Sequence, residues 1–453
     1  MVFYAYDIRG VYGKEIDEHF AFRLAQAFYL TIGKERPKFA IGKDVRVHSN
    51  SLEKAFYDAL SKTDSEIYRI DTVPTPLLYF VIAHRDLDGG VMITASHNPP
   101  EWNGFKLCRD KAYIIAQGMG MEKLKEIFFS KVKPAERTGR TIYFKDKAIK
   151  EYVNYVSDRV GLKREIKVAI DIGNGACFEL APIVMKTIGA KIRLINEEPN
   201  GLFPNRPPEP KEENLSLLKG VMKSERLDFG VAYDGDGDRA VFVDDLGRVI
   251  PGDVITAIFA KHFLKKRKGK IVVEVNFSKA IEEYIRSLGG EIVESRVGHA
   301  YIMDLVIKES ALLGGEVSSH FYFLDIYGLD DAIYATAKMA ELLSEEGVRL
   351  SELVNEVPRL PNSPVFVIDV PDDEKFKIVD EVASDFEKLG FKISRIDGVK
   401  AFSRKGWVLV RASNTMPQIK FKAEGNSIEE LDELIKLTRE LIGKAKNRVE
   451  RKV

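Results

Sequence analysis

Asp234, Asp236 and Asp238 alternate with Gly235 and Gly237, and Arg239 closes the run. Like charges this close repel unless a positive charge sits among them, so the spacing points to a bound divalent metal. All the donors are oxygen, which favours a hard cation such as Mg²⁺ over zinc or copper. The glycines leave the backbone free to aim three side chains at one point. A calcium EF-hand fits poorly. Its sixth loop position wants Gly where the chain has Arg239, and its twelfth wants Glu where the chain has Asp245. A solvated acidic turn is the plain alternative.

Three further segments offer different chemistry. Gly89–Thr94 reads as a strand running into Ala95-Ser96-His97-Asn98-Pro99-Pro100, a polar turn that exposes the Ser96 hydroxyl. It is not a Gly-x-Ser-x-Gly elbow, so acyl transfer is a poor reading. A serine hydroxyl needs a base, or a metal and an acceptor phosphoryl group. Lys106, close in sequence, can hold a phosphate or move a proton, or can be an ordinary surface lysine. In Gly314–His320, Glu316, Ser318 and His320 alternate, so in an extended loop they face one way. That set of acceptor, hydroxyl and imidazole suits sugar hydroxyls, against the alternative of a polar loop with a capping serine. Arg411 ends the strand Trp407–Arg411, and Ser413, Asn414 and Thr415 follow it. Together they make a phosphate cage, since charge-assisted donors to phosphate are strong and directional; a structural loop is the other reading.

Positioning these residues requires several domains. A chain of 453 residues suggests three or four. Short apolar runs at 38–41, 90–94, 167–171, 229–233, 240–243 and 270–275 read as strands. Amphipathic stretches lie between them, such as Ser51–Leu60 and Lys279–Leu288, the latter with Ile281, Ile285 and Leu288 on one face. The alternation predicts an α/β protein. Boundaries fall at the charged 131–140 stretch, near Pro251, and at the proline-rich Val357–Pro364, which reads as a hinge. They divide the chain into 1–140, 141–250, 251–358 and 359–453. The last block reads as strand, helix, strand, strand, helix, a small α+β unit. The four chemical segments fall about one per block, which one shared cleft explains.

Composition excludes several classes. Lys+Arg and Asp+Glu both total 69, so no global field selects nucleic acid or an anionic membrane. The cluster Lys265, Lys266, Arg267, Lys268 and Lys270 reads as a solvated helix end. Cys108 and Cys177 read as buried, reduced residues. Asp7 and Arg9 interrupt the N-terminus too early for a signal peptide, and no apolar run is long enough to span a membrane. The expectation is a cytoplasmic protein. High charge with few glutamines is compatible with a thermophilic source.

Thr94-Ala-Ser96-His-Asn-Pro99, Asp234-Gly-Asp-Gly-Asp-Arg239, Gly315-Glu-Val-Ser-Ser-His320 and Arg411-Ala-Ser-Asn-Thr-Met-Pro417 resemble, in order, the four signatures of the α-D-phosphohexomutases. Tyr6-Asp7-Ile8-Arg9-Gly10 is similar to that family's opening motif. Asn414 after Ser413 resembles the phosphomannomutase/phosphoglucomutase branch, where phosphoglucosamine mutases usually have Gly. The resemblance implies four domains around a central cleft, three α/β domains with mixed sheets and a C-terminal α+β domain. It implies a phosphoryl group on Ser96, with Mg²⁺ held by Ser96, Asp234, Asp236 and Asp238. Glu316 and Ser318 would read sugar hydroxyls, and the loop with Arg411, Ser413, Asn414 and Thr415 would grip a distal phosphate. Arg9, Lys106, Arg239 and His320 match positions around the transfer, and His299 matches a substrate-reaching loop. The implied reaction interconverts hexose 1-phosphate and hexose 6-phosphate, of mannose or glucose, through a hexose 1,6-bisphosphate. Phosphoglucosamine mutase and a metal-dependent sugar phosphatase are the alternatives. The implied partners are small sugar phosphates, with no nucleic acid and no membrane. Ser319 departs from the pattern, standing where the family usually has Gly, and is expected to alter loop conformation or substrate preference.

Overall fold

Helices cover a mixed sheet in each of the first three domains because apolar β-branched runs alternate with amphipathic ones along the chain. The computed structural model describes residues 2–413 and 416–450. The first sheet runs, edge to edge, through strands Ile8–Val11, Trp102–Arg109, Gly89–Ile93, Lys38–Lys43, Glu66–Thr72 and Arg140–Tyr143. Strand Gly89–Ile93 is parallel to Lys38–Lys43 and antiparallel to Trp102–Arg109. Arg140–Tyr143 pairs with Glu66–Thr72, so the charged 131–140 stretch leads into an edge strand of this same sheet. Helix Glu18–Ile32 starts where the Asp17 carboxylate accepts the Phe20 N–H at 2.8 Å and stops at Gly33 in a left-handed conformation. Its buried face, including Leu24 and Phe28, packs on Phe39 and Phe56.

The second and third sheets each have five strands. Strand order is Val249–Ile250, Ala240–Asp244, Phe229–Tyr233, Lys167–Asp171, Lys191–Ile195 in one. In the other it is Glu291–Ser295, Lys270–Glu274, Leu313–Gly315, Phe321–Phe323, Leu329–Asp330. The expected helix after Pro251 spans Gly252–Lys266. Its basic end is solvated as expected, with Lys265 on Glu346 and Lys266 on Glu345, at the helix pole that favours cations. Both cysteines are free and buried. Among the described residues, no helix is long and apolar enough to cross a membrane.

The fourth sheet is wholly antiparallel, Phe366–Asp369, Gln418–Gly425, Gly406–Ala412, Val399–Ser403, Lys392–Ser394, with helices Lys375–Lys388 and Ile428–Glu450 packed on it. The α+β reading of this block stands, but it holds five strands rather than three. Lys392–Ser394 is a three-residue edge strand without a fully buried residue, too short to show a period.

One apolar core runs continuously from Ala40 in the first domain through the second and third to Val357. The fourth domain has its own core. A small cluster of Val275, Trp407 and Leu409 joins the two. Three domains are thus welded, while the fourth attaches through the proline-rich segment, a narrow apolar contact and polar ties such as Lys400 to Glu294 and Lys422 to the Asn276 carbonyl.

Candidate active site

Tyr233 and Ala240 face each other in an antiparallel hairpin, so residues 234–239 form the loop at its tip. The glycines there serve close approach, and Gly237 also takes a left-handed φ of 75°. A Cβ on Gly235 would lie 2.5 Å from the Ser96 carbonyl oxygen, and one on Gly237 would lie 2.2 Å from Cys177 Sγ. The loop therefore presses its carboxylates against the serine turn of the first domain. The Ser96 hydroxyl donates to Asp234 Oδ2 at 2.9 Å. Asp234 Oδ1 accepts the Gly237 and Arg239 N–H groups at 3.0 and 3.2 Å. Asp236 Oδ2 accepts Thr75 Oγ1 at 2.6 Å and Lys106 Nζ at 2.7 Å, and Lys106 also bridges to Asp238 Oδ2.

Three carboxylates and one lysine leave this buried point negative. Burial, with Asp238 and Asp236 beside it, pushes Asp234 up to about 8. Burial also opposes ionisation of Asp238, but Lys106, His320 and Arg239 hold it well below the usual carboxylate range. Asp236 Oδ1 and Asp238 Oδ1 are buried without a hydrogen-bond partner among the described residues. Orphaned, desolvated anionic oxygens are costly, and the ligand atoms of all three aspartates lie within 4.8 Å of one another. All are hard donors. The set fits a divalent cation.

Ser96 sits in a strained conformation, with φ of 51° at a non-glycine residue. Its N–H donates to Thr94 Oγ1 at 2.8 Å, and His97 Nδ1 lies 3.0 Å from its hydroxyl. Burial and Arg239 hold His97 well below its usual pKa, so the imidazole there is neutral. Arg9 reaches Asn98 Oδ1 at 2.6 Å and pairs with Asp7 at 2.7 Å.

From the third domain come His299, the first residue of helix His299–Lys308, and the 316–320 loop. The extended loop expected for 316–320 is not what forms. The Glu316 N–H bonds the His320 carbonyl at 3.0 Å, closing a turn, and Ser319 adopts φ of 71°. Glycine takes that conformation freely, which is a physical reason for Gly at this place; serine takes it at a strain of about 1 kcal/mol. A Cβ on Gly252 would lie 2.3 Å from the Glu316 carbonyl and 2.9 Å from the Ser319 N–H, so packing beneath imposes the turn. Glu316 accepts from Tyr322 OH and, at 3.1 Å, from Ser318 Oγ. His320 Nδ1 lies 3.0 Å from Asp330 Oδ2, and Arg239 Nε donates to His320 Nε2 at 3.0 Å. Burial alone would lower His320, but Asp238, Glu316 and Asp330 outweigh it and lift it to about 9. The Arg239 bond requires a lone pair on Nε2, so the tautomer that satisfies the contacts carries its proton on Nδ1, facing Asp330. A cation shared by Asp238 would weaken the pull towards the charged form. His299 stacks on His320 at 6.0 Å, and burial, Lys106 and His320 keep it neutral.

These groups surround a cavity of about 390 Å³. Its walls include Arg9, Ser96, Lys106, Asp238, Arg239, His299, Glu316 and His320, so residues widely separated in sequence converge. Ser318 reaches it only through Glu316. Arg411 and Ser413 are not among the lining residues. The Arg411 guanidinium lies 3.7 Å from Asp397, and Ser413 Oγ accepts the Met416 N–H at 3.3 Å. Asn414 and Thr415 lie outside the described residues. The fourth domain instead lines the cavity with Met416 and Lys420. Lys420, Thr75 and Asp330 were not found from sequence. Lys420 is one of several strand lysines, Thr75 touches the site only through Asp236, 161 residues on, and Asp330 only through His320 across neighbouring strands.

Three mixed-sheet domains and an antiparallel fourth, closing on one cavity that joins a serine turn to a carboxylate cluster, define an α-D-phosphohexomutase architecture. Models of phosphoglucomutase/phosphomannomutase alpha/beta/alpha domain I, domain II, domain III and C-terminal domain match residues 1–134, 148–247, 251–360 and 368–441. The chain belongs to the phosphoglucomutase/phosphomannomutase family. It is 34% identical to the phosphoglucomutase/phosphomannomutase of Thermococcus kodakarensis, covering 98% of this chain and 99% of that one. A Methanosarcina barkeri protein described as "Probable phosphoglucosamine mutase" is also 34% identical, over 97% of this chain and 98% of that one. The crystal structure of a phosphoglucomutase/phosphomannomutase family protein from Burkholderia thailandensis superposes with a TM-score of 0.89 at 28% identity, covering 98% and 97% of the two chains.

Proposed function

We propose that this protein is a phosphomannomutase/phosphoglucomutase, interconverting hexose 1-phosphate and hexose 6-phosphate through a phosphoserine at position 96. The observation that carries the reading is the 2.9 Å contact of Ser96 Oγ with Asp234 in a cavity walled by all four domains. The phosphoryl group leaves Ser96 Oγ for the free 6-hydroxyl of a hexose 1-phosphate, and the P–O bond to serine breaks as the new one forms. The hexose 1,6-bisphosphate then turns end for end and returns its other phosphate to Ser96. Phosphoryl transfer needs positioning and charge neutralisation more than covalent chemistry. Mg²⁺ on Asp234, Asp236 and Asp238 would offset charge on the phosphoryl oxygens.

Lys106 is raised above the ordinary lysine range by Asp236 and Asp238 despite its burial, which keeps it a cation and a charge neutraliser. His320 Nε2 accepts the Arg239 N–H while Nδ1 faces Asp330, so His320 takes the hydroxyl proton only once Arg239 turns to the incoming phosphate. For the distal phosphate, Arg411 and Lys420 are opposed across two antiparallel strands. Like charges placed so are destabilising unless an anion sits between or before them. Burial and Arg411 together lower the Lys420 pKa, the mark of a cation without enough counter-charge. Reorientation of the intermediate requires a looser grip, which the separately cored fourth domain supplies by swinging on the 357–364 segment.

The Methanosarcina relative supports glucosamine phosphate as a second substrate reading. The test is kcat/KM for mannose, glucose and glucosamine 1-phosphates after priming with a hexose bisphosphate, run beside a phosphate-release assay. Ser96→Ala abolishes turnover but leaves sugar-phosphate binding measurable. Near-normal turnover would refute the nucleophile, and phosphate released in step with substrate loss would make the protein a phosphatase.

A further inference from the structure

We infer that Arg46 is the positioning residue that aims Ser96, an inference that rests on the phosphoserine reading above. Arg46 lies on the loop between strand Lys38–Lys43 and helix Ser49–Leu60, and its side chain is wholly buried. Its guanidinium gathers the backbone of the serine turn. Nη2 donates to the carbonyls of Ser96 at 2.8 Å and Asn98 at 2.6 Å. Nη1 donates to those of Pro99 at 2.6 Å and Trp102 at 3.0 Å. Nε donates to Asp44 Oδ2 at 3.0 Å.

Four carbonyl dipoles converging on one point repel, and the turn holds Ser96 at φ 51°. A planar cation with five divergent donors satisfies them together; an ammonium, with three donors at one point, does not. The other backbone group of Ser96 ends on the same network. Its N–H bonds Thr94 Oγ1, which donates to Asp44 Oδ2 at 2.8 Å. Arg46 and Asp44 therefore hold the N–H and the carbonyl of Ser96 from behind, without lining the cavity themselves.

The tie extends to the second domain. The Phe203 ring covers the guanidinium at 5.2 Å. A Cβ on Gly235 would lie 3.4 Å from the end of that ring and 2.5 Å from the Ser96 carbonyl. Arg46 thus sits under the seam between the serine turn and the aspartate loop and sets the distance from Ser96 Oγ to Asp234.

The experiment compares wild type, Arg46→Lys, Arg46→Ala, Phe203→Leu and Ser96→Ala. In Arg46→Lys, kcat falls about 100-fold while KM for glucose 1-phosphate stays within about three-fold, because the nucleophile is misplaced and the sugar contacts are not. Ethylguanidinium restores kcat in Arg46→Ala, and ethylammonium does not. Phe203→Leu, which removes the ring that covers the guanidinium and so loosens its hold on the four carbonyls, lowers kcat without moving KM and decides the matter should both arginine variants fail to fold. Wild-type kcat in Arg46→Lys or Phe203→Leu, or equal rescue by the two added cations, overturns the assignment. If Ser96→Ala is inactive and Arg46→Lys fully active, the Arg46 inference alone falls. If Ser96→Ala is active, the phosphoserine reading falls with it.

Discussion

Replacing Lys106 with methionine removes the ammonium that bridges Asp236 and Asp238 while keeping most of the side chain's volume. Its Nζ lies 2.7 Å from Asp236 Oδ2, and lysine and aspartates are all buried. Breaking a buried pair on one side costs about 3–5 kcal/mol, because the remaining charge is left uncompensated. Part is recovered by proton uptake, since Asp234 is already pushed up to about 8. The loss is therefore largest above pH 8 and shrinks below it. In chelator at high pH the variant melts earlier than wild type. Added Mg²⁺ at 100 times its Kd returns about 2.7 kcal/mol by mass action.

The sharper consequence concerns the metal itself. A unit charge about 4 Å from another is worth about 4 kcal/mol at an effective dielectric near 20, so losing the lysine lifts a repulsion on any cation among the aspartates. Mg²⁺ affinity by titration calorimetry rises by about ten-fold or more (1.4 kcal/mol per ten-fold), while kcat falls about 100-fold. A folded, cooperatively melting variant whose Mg²⁺ Kd equals or exceeds that of wild type would refute the placement of the metal among these carboxylates.

Lys420→Met raises KM for hexose phosphates about ten-fold with little change in kcat, one charge-assisted contact being lost (about 1.4 kcal/mol); steady-state kinetics decide it. Ser319→Gly relieves the left-handed strain and stabilises the protein by up to about 0.5 kcal/mol in denaturant melts, net of the extra freedom of the unfolded chain. Asp331 caps helix Ala332–Glu346 and accepts Tyr152 OH at 2.7 Å, yet burial pushes its carboxyl up to about 7. Because the folded pKa is raised, its contribution is full below the ordinary carboxylate pKa and is lost as pH rises through 7. Stability thus falls by up to about 4 kcal/mol over that window, and Asp331→Asn, which keeps the cap, flattens the melting-temperature profile.

The alternation of strand and helix, the hairpin bearing three aspartates, the serine turn after its strand and the proline-rich segment before the last domain were all legible in the amino-acid order. Each depends on local spacing: period two or 3.6 in apolar residues, and carboxylates set apart by glycines. The same order misled at 316–320. Alternation suggested an extended loop, but Gly252 packs against the turn from below and holds Ser319 left-handed. It also undercounted the last sheet, whose short edge strand carries no period.

Sequence by itself determined the candidate side chains and the element that bears most of them, because those properties are written within a few residues. Only the tertiary structure decided which of them share a cavity and which groups aim them. Thr75 on Asp236 and Arg46 beneath Ser96 join segments 161 and 50 residues apart, while Asp330 on His320 and Lys420 beside Arg411 meet across neighbouring antiparallel strands. The first two arise from packing between and within domains, and the other two from strand register, none of which the local residue spacing encodes.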